Sequence, residues 1–174
     1  IIVVSKCAPT LTIAEAKTVE EQINPLPAQK VFFTTISYSQ PLDFITGEPI
    51  SLAEKNVVLV CGIARPEPLV DYLKTQAAAI HSLSYADHHY FVTKDLEEIR
   101  ETYNNWSATD KIIVTTEKDA ARLQLHFDLL RSWDLPIVVL PITVEVLFDK
   151  TMELNNAVMQ YVEKAVAENR EITQ

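Results

Sequence analysis

Glycine is scarce in this chain: Gly47 and Gly62 are the only two in 174 residues. A Walker-type phosphate loop needs two glycines and a Gly-Lys-Ser/Thr ending to bring backbone N–H groups onto phosphates, and neither glycine has that setting. The chain therefore carries no P-loop of its own. Apolar runs are short too, with no stretch of about eighteen residues, which excludes a membrane-spanning helix. Cations are outnumbered, 15 Lys and Arg against 24 Asp and Glu, for a formal net charge of -9. Phosphate backbones demand clustered Lys and Arg, so nucleic acid is excluded as a partner, and adsorption to anionic lipid through this part of the chain is disfavoured. The two cysteines, Cys7 and Cys61, each sit inside or just after an apolar run and read as buried free thiols of a reducing cytosol. Methionine first appears at Met152, yet the chain opens on the strand-like run Ile1-Ile2-Val3-Val4. An upstream neighbour is expected to have been removed.

What is present is ample core: 48% hydrophobic and 22% charged residues suit one α/β domain of ordinary size, residues 1–174, or half of a larger one. Short apolar runs at 1–4, 30–35, 56–61, 79–83, 111–114 and 136–140 read as strands. Between them lie helical periodicities at about 12–23, from Pro66 or Pro68 to about 78, at about 94–106 with Thr93 as its cap, and in the region 117–133. Thr10 or Thr12 can cap the first helix, with Glu15 three residues after Thr12 completing a capping box. A last helix, about 151–168, is expected to turn Leu154, Val158, Tyr161, Val162 and Ala165 inward. Residues 143–148 are expected to pair at a sheet edge. Pro41 and Pro49 exclude a central strand in 36–51, leaving an irregular edge β-ribbon, a hinge or a partner-binding flap. The alternation predicts a mostly parallel sheet covered by helices on both faces.

Three strand-to-helix turns hold the candidate chemistry, and in a parallel sheet all three open on one edge, where ligands bind. The first is Tyr85-Ala86-Asp87-His88-His89-Tyr90-Phe91. A histidine near neutrality can act as a general base, and the adjacent Asp87 can fix its tautomer; the plainer alternative is a structural turn with one ring packed and one solvated. Zinc would need His81 or His126 as further ligands, and no Cys or Glu spacing supports that. The second turn, Gly62-Ile63-Ala64-Arg65-Pro66, places a guanidinium over a helix N-terminus, an anion site or simply a tight turn with a solvated arginine. In the third, Thr115-Thr116-Glu117-Lys118-Asp119, the threonine hydroxyls and Lys118 could meet phosphate or ribose. Equally, the threonines cap the helix while Glu117 and Asp119 complement its dipole.

Taken in order, Val4-Ser5-Lys6-Cys7, Gly62-Ile63-Ala64-Arg65-Pro66, Asp87-His88-His89-Tyr90-Phe91 and Thr115-Thr116-Glu117-Lys118-Asp119-Ala120 resemble the C-terminal half of the tetraacyldisaccharide 4'-kinase (lipid A 4'-kinase) family. That resemblance implies a P-loop kinase-like fold whose N-terminal half is absent. It implies transfer of the ATP γ-phosphate to the 4'-hydroxyl of a tetraacyldisaccharide 1-phosphate, with Mg²⁺, at the cytoplasmic face of the inner membrane of Gram-negative bacteria as a peripheral protein. In the family an aspartate pairs with a histidine; the aspartate, the Walker lysine and the Mg²⁺-binding acids lie in the N-terminal half. The histidine carries over to His88, with His89 as the fallback. Arg65, Lys118, Thr115 and Thr116 are the candidate contacts to nucleotide or phosphate. The partners implied are the lipid disaccharide, the missing half and the membrane surface. This piece alone is expected to be inactive, with no resident metal and neither ATP nor Mg²⁺ tightly held. Two further readings stay open: a self-sufficient α/β transferase or hydrolase using the Asp-His-His turn, and a non-catalytic α/β interaction module.

Overall fold

Three apolar strands that bury both faces need helices on both sides, and the larger sheet of the fold is built that way. The computed structural model describes residues 1–172; the last two positions of the expected 1–174 span lie outside the described residues. Two compact units divide the chain, the first drawn from Ile1–Ser37 and Thr143–Gln174, the second from Tyr38–Ile142.

The first unit has a three-stranded sheet in the order β1 (Ile2–Val4), β2 (Val31–Tyr38), β8 (Ile142–Val146), with β1 and β2 parallel. Helix α1 (Ile13–Ile23) connects β1 to β2. Thr12 caps it as the spacing predicts: its hydroxyl accepts from the Glu15 N–H, and the Glu15 carboxylate accepts from the Thr12 N–H at 2.8 Å. Ala16, Val19 and Ile23 pack with Val31, Phe33 and Phe148 into this unit's core. Strand β2 runs on to Tyr38, past the predicted end at Thr35; within it Thr34 and Thr35 are buried, and Thr35 Oγ1 donates to the Cys7 carbonyl at 2.8 Å. Helix α6 (Thr151–Ile172) departs from expectation. Leu154 and Ala165 are half-buried, but Val158, Tyr161 and Val162 are exposed. Periodicity identifies an apolar face; it does not reveal how much of that face a neighbour covers.

The second unit is a five-stranded sheet in the order β3 (Leu42–Asp43), β7 (Ile137–Leu140), β6 (Lys111–Thr116), β4 (Asn56–Cys61), β5 (Ala79–Ser84). All neighbours are parallel except β3, which lies antiparallel at the edge. Leu42 also bridges Pro49, so residues 42–49 form a short ribbon there. Leu69 and Leu73 of α2 (Glu67–Gln76) pack on one face of the sheet, with Val57, Leu59, Ile112 and Val114. Leu96 and Ile99 of α3 (Thr93–Asn105), Leu123 of α4 (Glu117–Leu123) and Leu130 of α5 (Phe127–Ser132) pack on the other, with Val58, Val60 and Ile113. Both faces are thus covered, as the unbroken apolar strands require.

This order contains a switch point. From β4 the chain leaves to α2 on one face, whereas from β6, its neighbour, it leaves to α4 on the opposite face. Connections that diverge in this way open a crevice outside the carboxyl ends of the two strands, the usual ligand position in open α/β sheets.

Candidate active site

Gly62 ends β4 and sits at the floor of this crevice. A Cβ added there would meet the Ala86 carbonyl oxygen at 3.1 Å, Asp119 Oδ1 at 3.3 Å and His89 Cβ at 3.4 Å. The Gly62 turn, the Asp-His-His turn and the first turn of α4 therefore converge within van der Waals distance of one backbone position. A side chain there would force these neighbours back by a few tenths of an ångström.

Asp119 ties the loops together. It lies in the first turn of α4 and has no exposed surface. Its Oδ2 accepts from the Gly62 N–H at 2.9 Å and from the Thr116 hydroxyl at 2.8 Å, and Oδ1 accepts from Arg122 Nη1 at 3.1 Å. Thr116 Oγ1 in turn accepts from the Asp119 N–H. The same carboxylate, together with burial, acts on Cys61: burial first, then the Asp119 charge, pushes that thiol up to about 11, leaving it protonated and inert at neutral pH.

The Asp-His-His turn stands above. His88 takes a left-handed backbone conformation, φ 62°, and its side chain is 74% exposed. Arg122 Nη2 lies 3.4 Å from His88 Nδ1. Asp87 Oδ1 accepts from the His88 N–H and from Lys118 Nζ, while Oδ2 lies 3.6 Å from His88 Nε2. The Lys118 ammonium is the main cause holding the Asp87 carboxyl below its ordinary range, against the opposing push of burial.

His89 is occupied differently. Its ring stacks on Tyr85, meets Phe91 edge-on, and through Nε2 donates to Asp95 Oδ2 at 2.8 Å. Burial pushes Asp95 up, but the Val92 N–H and the His89 bond outweigh it and hold the carboxyl low. The N-cap of α3 is Val92, and Asp95, at the third helical position, reaches back to accept from the Val92 N–H at 2.8 Å. The expected cap, Thr93, is already the first helical residue. His126 Nε2 donates to the Phe91 carbonyl at 2.8 Å, and His81 packs near Trp106. Among the described residues no group of three His, Cys, Asp or Glu could hold a metal ion.

The candidate residues thus separate. His88, Asp87 and Lys118 come together. Arg65 is exposed on the Gly62 loop with no hydrogen bond or ion pair among the described residues. Thr115 and Thr116 require correction: both belong to β6, not to a loop, and both are buried. The Thr115 hydroxyl is sealed inside with no partner among the described residues and the Thr116 hydroxyl is held by Asp119, so neither is available to a phosphate. Sequence reasoning missed Arg122 and assigned Asp119 only to the helix dipole. The available signal was their spacing, since residues three apart share a helix face.

A family model described as tetraacyldisaccharide-1-P 4'-kinase matches residues 2–163. The tetraacyldisaccharide 4'-kinase of Phocaeicola vulgatus is 34% identical over 173 residues, covering 94% of this chain and 46% of that protein. Its namesake from Bacteroides thetaiotaomicron is 33% identical over 174 residues, covering 93% and 46%. A crystal structure of the "apo" form of LpxK from Aquifex aeolicus in complex with ATP aligns with a TM-score of 0.46 at 15% identity, over 91% of this chain and 50% of that one. The chain spans about half the length of the curated relatives it matches.

Proposed function

The chain belongs to the tetraacyldisaccharide-1-P 4'-kinase family, and from that premise we propose that it is the C-terminal portion of an ATP-dependent kinase of lipid A biosynthesis. The intact enzyme phosphorylates the 4'-hydroxyl of a tetraacyldisaccharide 1-phosphate. The observation that carries this reading is the exposed His88 imidazole on the turn that meets Gly62 and the start of α4, where three family-like segments converge. His88 pairs with a carboxylate supplied by the rest of the enzyme and assists removal of the hydroxyl proton. Lys118 and Arg65 are the cations for phosphate or nucleotide, Lys118 by exchanging Asp87 for the ligand.

The residues of this chain do not by themselves fit ATP and Mg²⁺. Gly47 lies in the edge ribbon, Gly62 is packed under two loops, and no carboxylate cluster among the described residues suits a cation. In this reading the remainder of the enzyme supplies the phosphate loop and the Mg²⁺-binding acids, and with them most of the catalysis, because phosphoryl transfer is largely positioning and charge stabilisation. No helix among the described residues is long and apolar enough to cross a membrane. The proposed place of the intact enzyme, by its family, is peripheral at the cytoplasmic face of the inner membrane.

The test is a kinase assay on these 174 residues alone, then with the remaining half of the enzyme added. No turnover alone and recovery on mixing is the expected result. Turnover without the added half would instead favour a self-sufficient transferase or hydrolase.

A further inference from the structure

We propose that Arg122, anchored by Asp119, is a positioning residue that fixes the tautomer of His88. The inference rests on the reading of His88 given above, but it concerns this chain's own atoms and is tested on them. A guanidinium has five N–H donors and no acceptor, and it stays protonated. A hydrogen bond from Arg122 Nη2 to His88 Nδ1, at 3.4 Å, therefore exists only when Nδ1 carries no proton. The neutral ring then holds its single proton on Nε2. That nitrogen faces Asp87 Oδ2 at 3.6 Å, which favours a proton there and lies beyond full hydrogen-bond length.

Arg122 is well placed to impose this choice. Its side chain is only 15% exposed, and Nη1 is held at 3.1 Å by the fully buried Asp119 carboxylate. Its guanidinium carbon also lies 5.7 Å from the centre of the Tyr90 ring. The other guanidinium arm is left for the imidazole. Asp119 is itself fixed by the Gly62 N–H and the Thr116 hydroxyl, so the ends of β4 and β6 determine where Arg122 points. His88 lies in a left-handed conformation that an L residue rarely adopts, and its own backbone N–H is taken by Asp87. Backbone and ring are thus held by separate partners. The consequence for chemistry is directional: His88 offers an incoming group an Nε2–H donor, the form that pairs with a carboxylate.

The experiment is ¹⁵N NMR of the imidazole nitrogens in this chain at a pH where His88 is neutral. Wild type is compared with Arg122→Ala and Arg122→Lys. Arg122→Lys keeps a cation for Asp119 but lacks the second arm of the fork, so it guards against a folding failure in the alanine variant. The expected wild-type result is a single His88 tautomer, unprotonated at Nδ1. Both variants should relax it toward a mixture of the two forms, with His126, bonded to the Phe91 carbonyl, unchanged as the internal reference. In the intact kinase the same variants should lower kcat roughly ten- to a hundred-fold with little change in KM for ATP, part of the 10²- to 10⁴-fold that a positioned proton-handling group supplies. A protonated Nδ1 in wild type, or a tautomer unmoved in a folded Arg122→Lys protein, overturns the proposal. A tautomer that shifts while kcat does not supports it and counts instead against the catalytic role of His88.

Discussion

A carboxylate with no exposed surface must offset the several kcal/mol lost on leaving water, and it does so only through well-made hydrogen bonds and a counter-charge. Asp119 has a backbone N–H, a hydroxyl and a guanidinium. Asp119→Ala leaves the Gly62 N–H without its acceptor and Arg122 without its counter-ion, and is expected to destabilise the protein by about 3–5 kcal/mol, read as a shifted urea midpoint at unchanged m. Asp87 differs because it is near the surface and paired with Lys118. Its folded-state value is depressed, so the pair adds stability above the ordinary aspartate value of ~3.9 and loses it as pH falls through the lower folded value. Carboxyl ¹³C NMR should therefore find Asp87 titrating lower in wild type than in Lys118→Met. Equal midpoints would show that the pair does not form in solution. At this scale the sequence was half legible. An exposed histidine beside an aspartate can be read from its neighbours, but the burial of Asp119 depends on residues 57 positions apart along the chain.

Among the elements, strands buried on both faces were the clearest to read. Asn56–Cys61 is a strand over the predicted span, because only a doubly covered strand presents Val57-Val58-Leu59-Val60-Cys61 without polar interruption. Ends were harder. Thr115 and Thr116 extend β6 into what reads as a loop, since β-branched residues suit a strand as well as a cap. In α6, long-range packing decides exposure, and the apolar spacing of Val158 and Val162 could not foretell it. The meeting of β4 with the two facing loops yields a sharper test. Gly62→Ala inserts a methyl group 3.1 Å from the Ala86 carbonyl oxygen, a backbone atom that cannot swing away. A loss of about 1–3 kcal/mol is expected, the usual penalty for overpacking, and His88 resonances should move as the turn is displaced. A variant with wild-type stability and an unchanged spectrum would mean that the loops are not closed on Gly62.

For the molecule as a whole, the second unit is a doubly covered parallel sheet with its candidate chemistry at the switch point, and the family is that of a lipid A kinase. The short apolar runs and the four motifs made both legible in advance. Strand order was not, because parallel strands of similar composition are interchangeable to a sequence pattern. The order β3-β7-β6-β4-β5 sets Gly62 beside Asp119 and the Asp-His-His turn, and the function proposed here depends on that adjacency. The most direct measurement is steady-state kinetics of His88→Ala in the intact kinase, with disaccharide 1-phosphate and ATP each varied. A fall in kcat of about 10²- to 10⁴-fold, as for loss of a positioned proton-handling group, is expected, with KM for ATP nearly unchanged. An unaltered kcat would contradict the assignment of the reaction to this crevice.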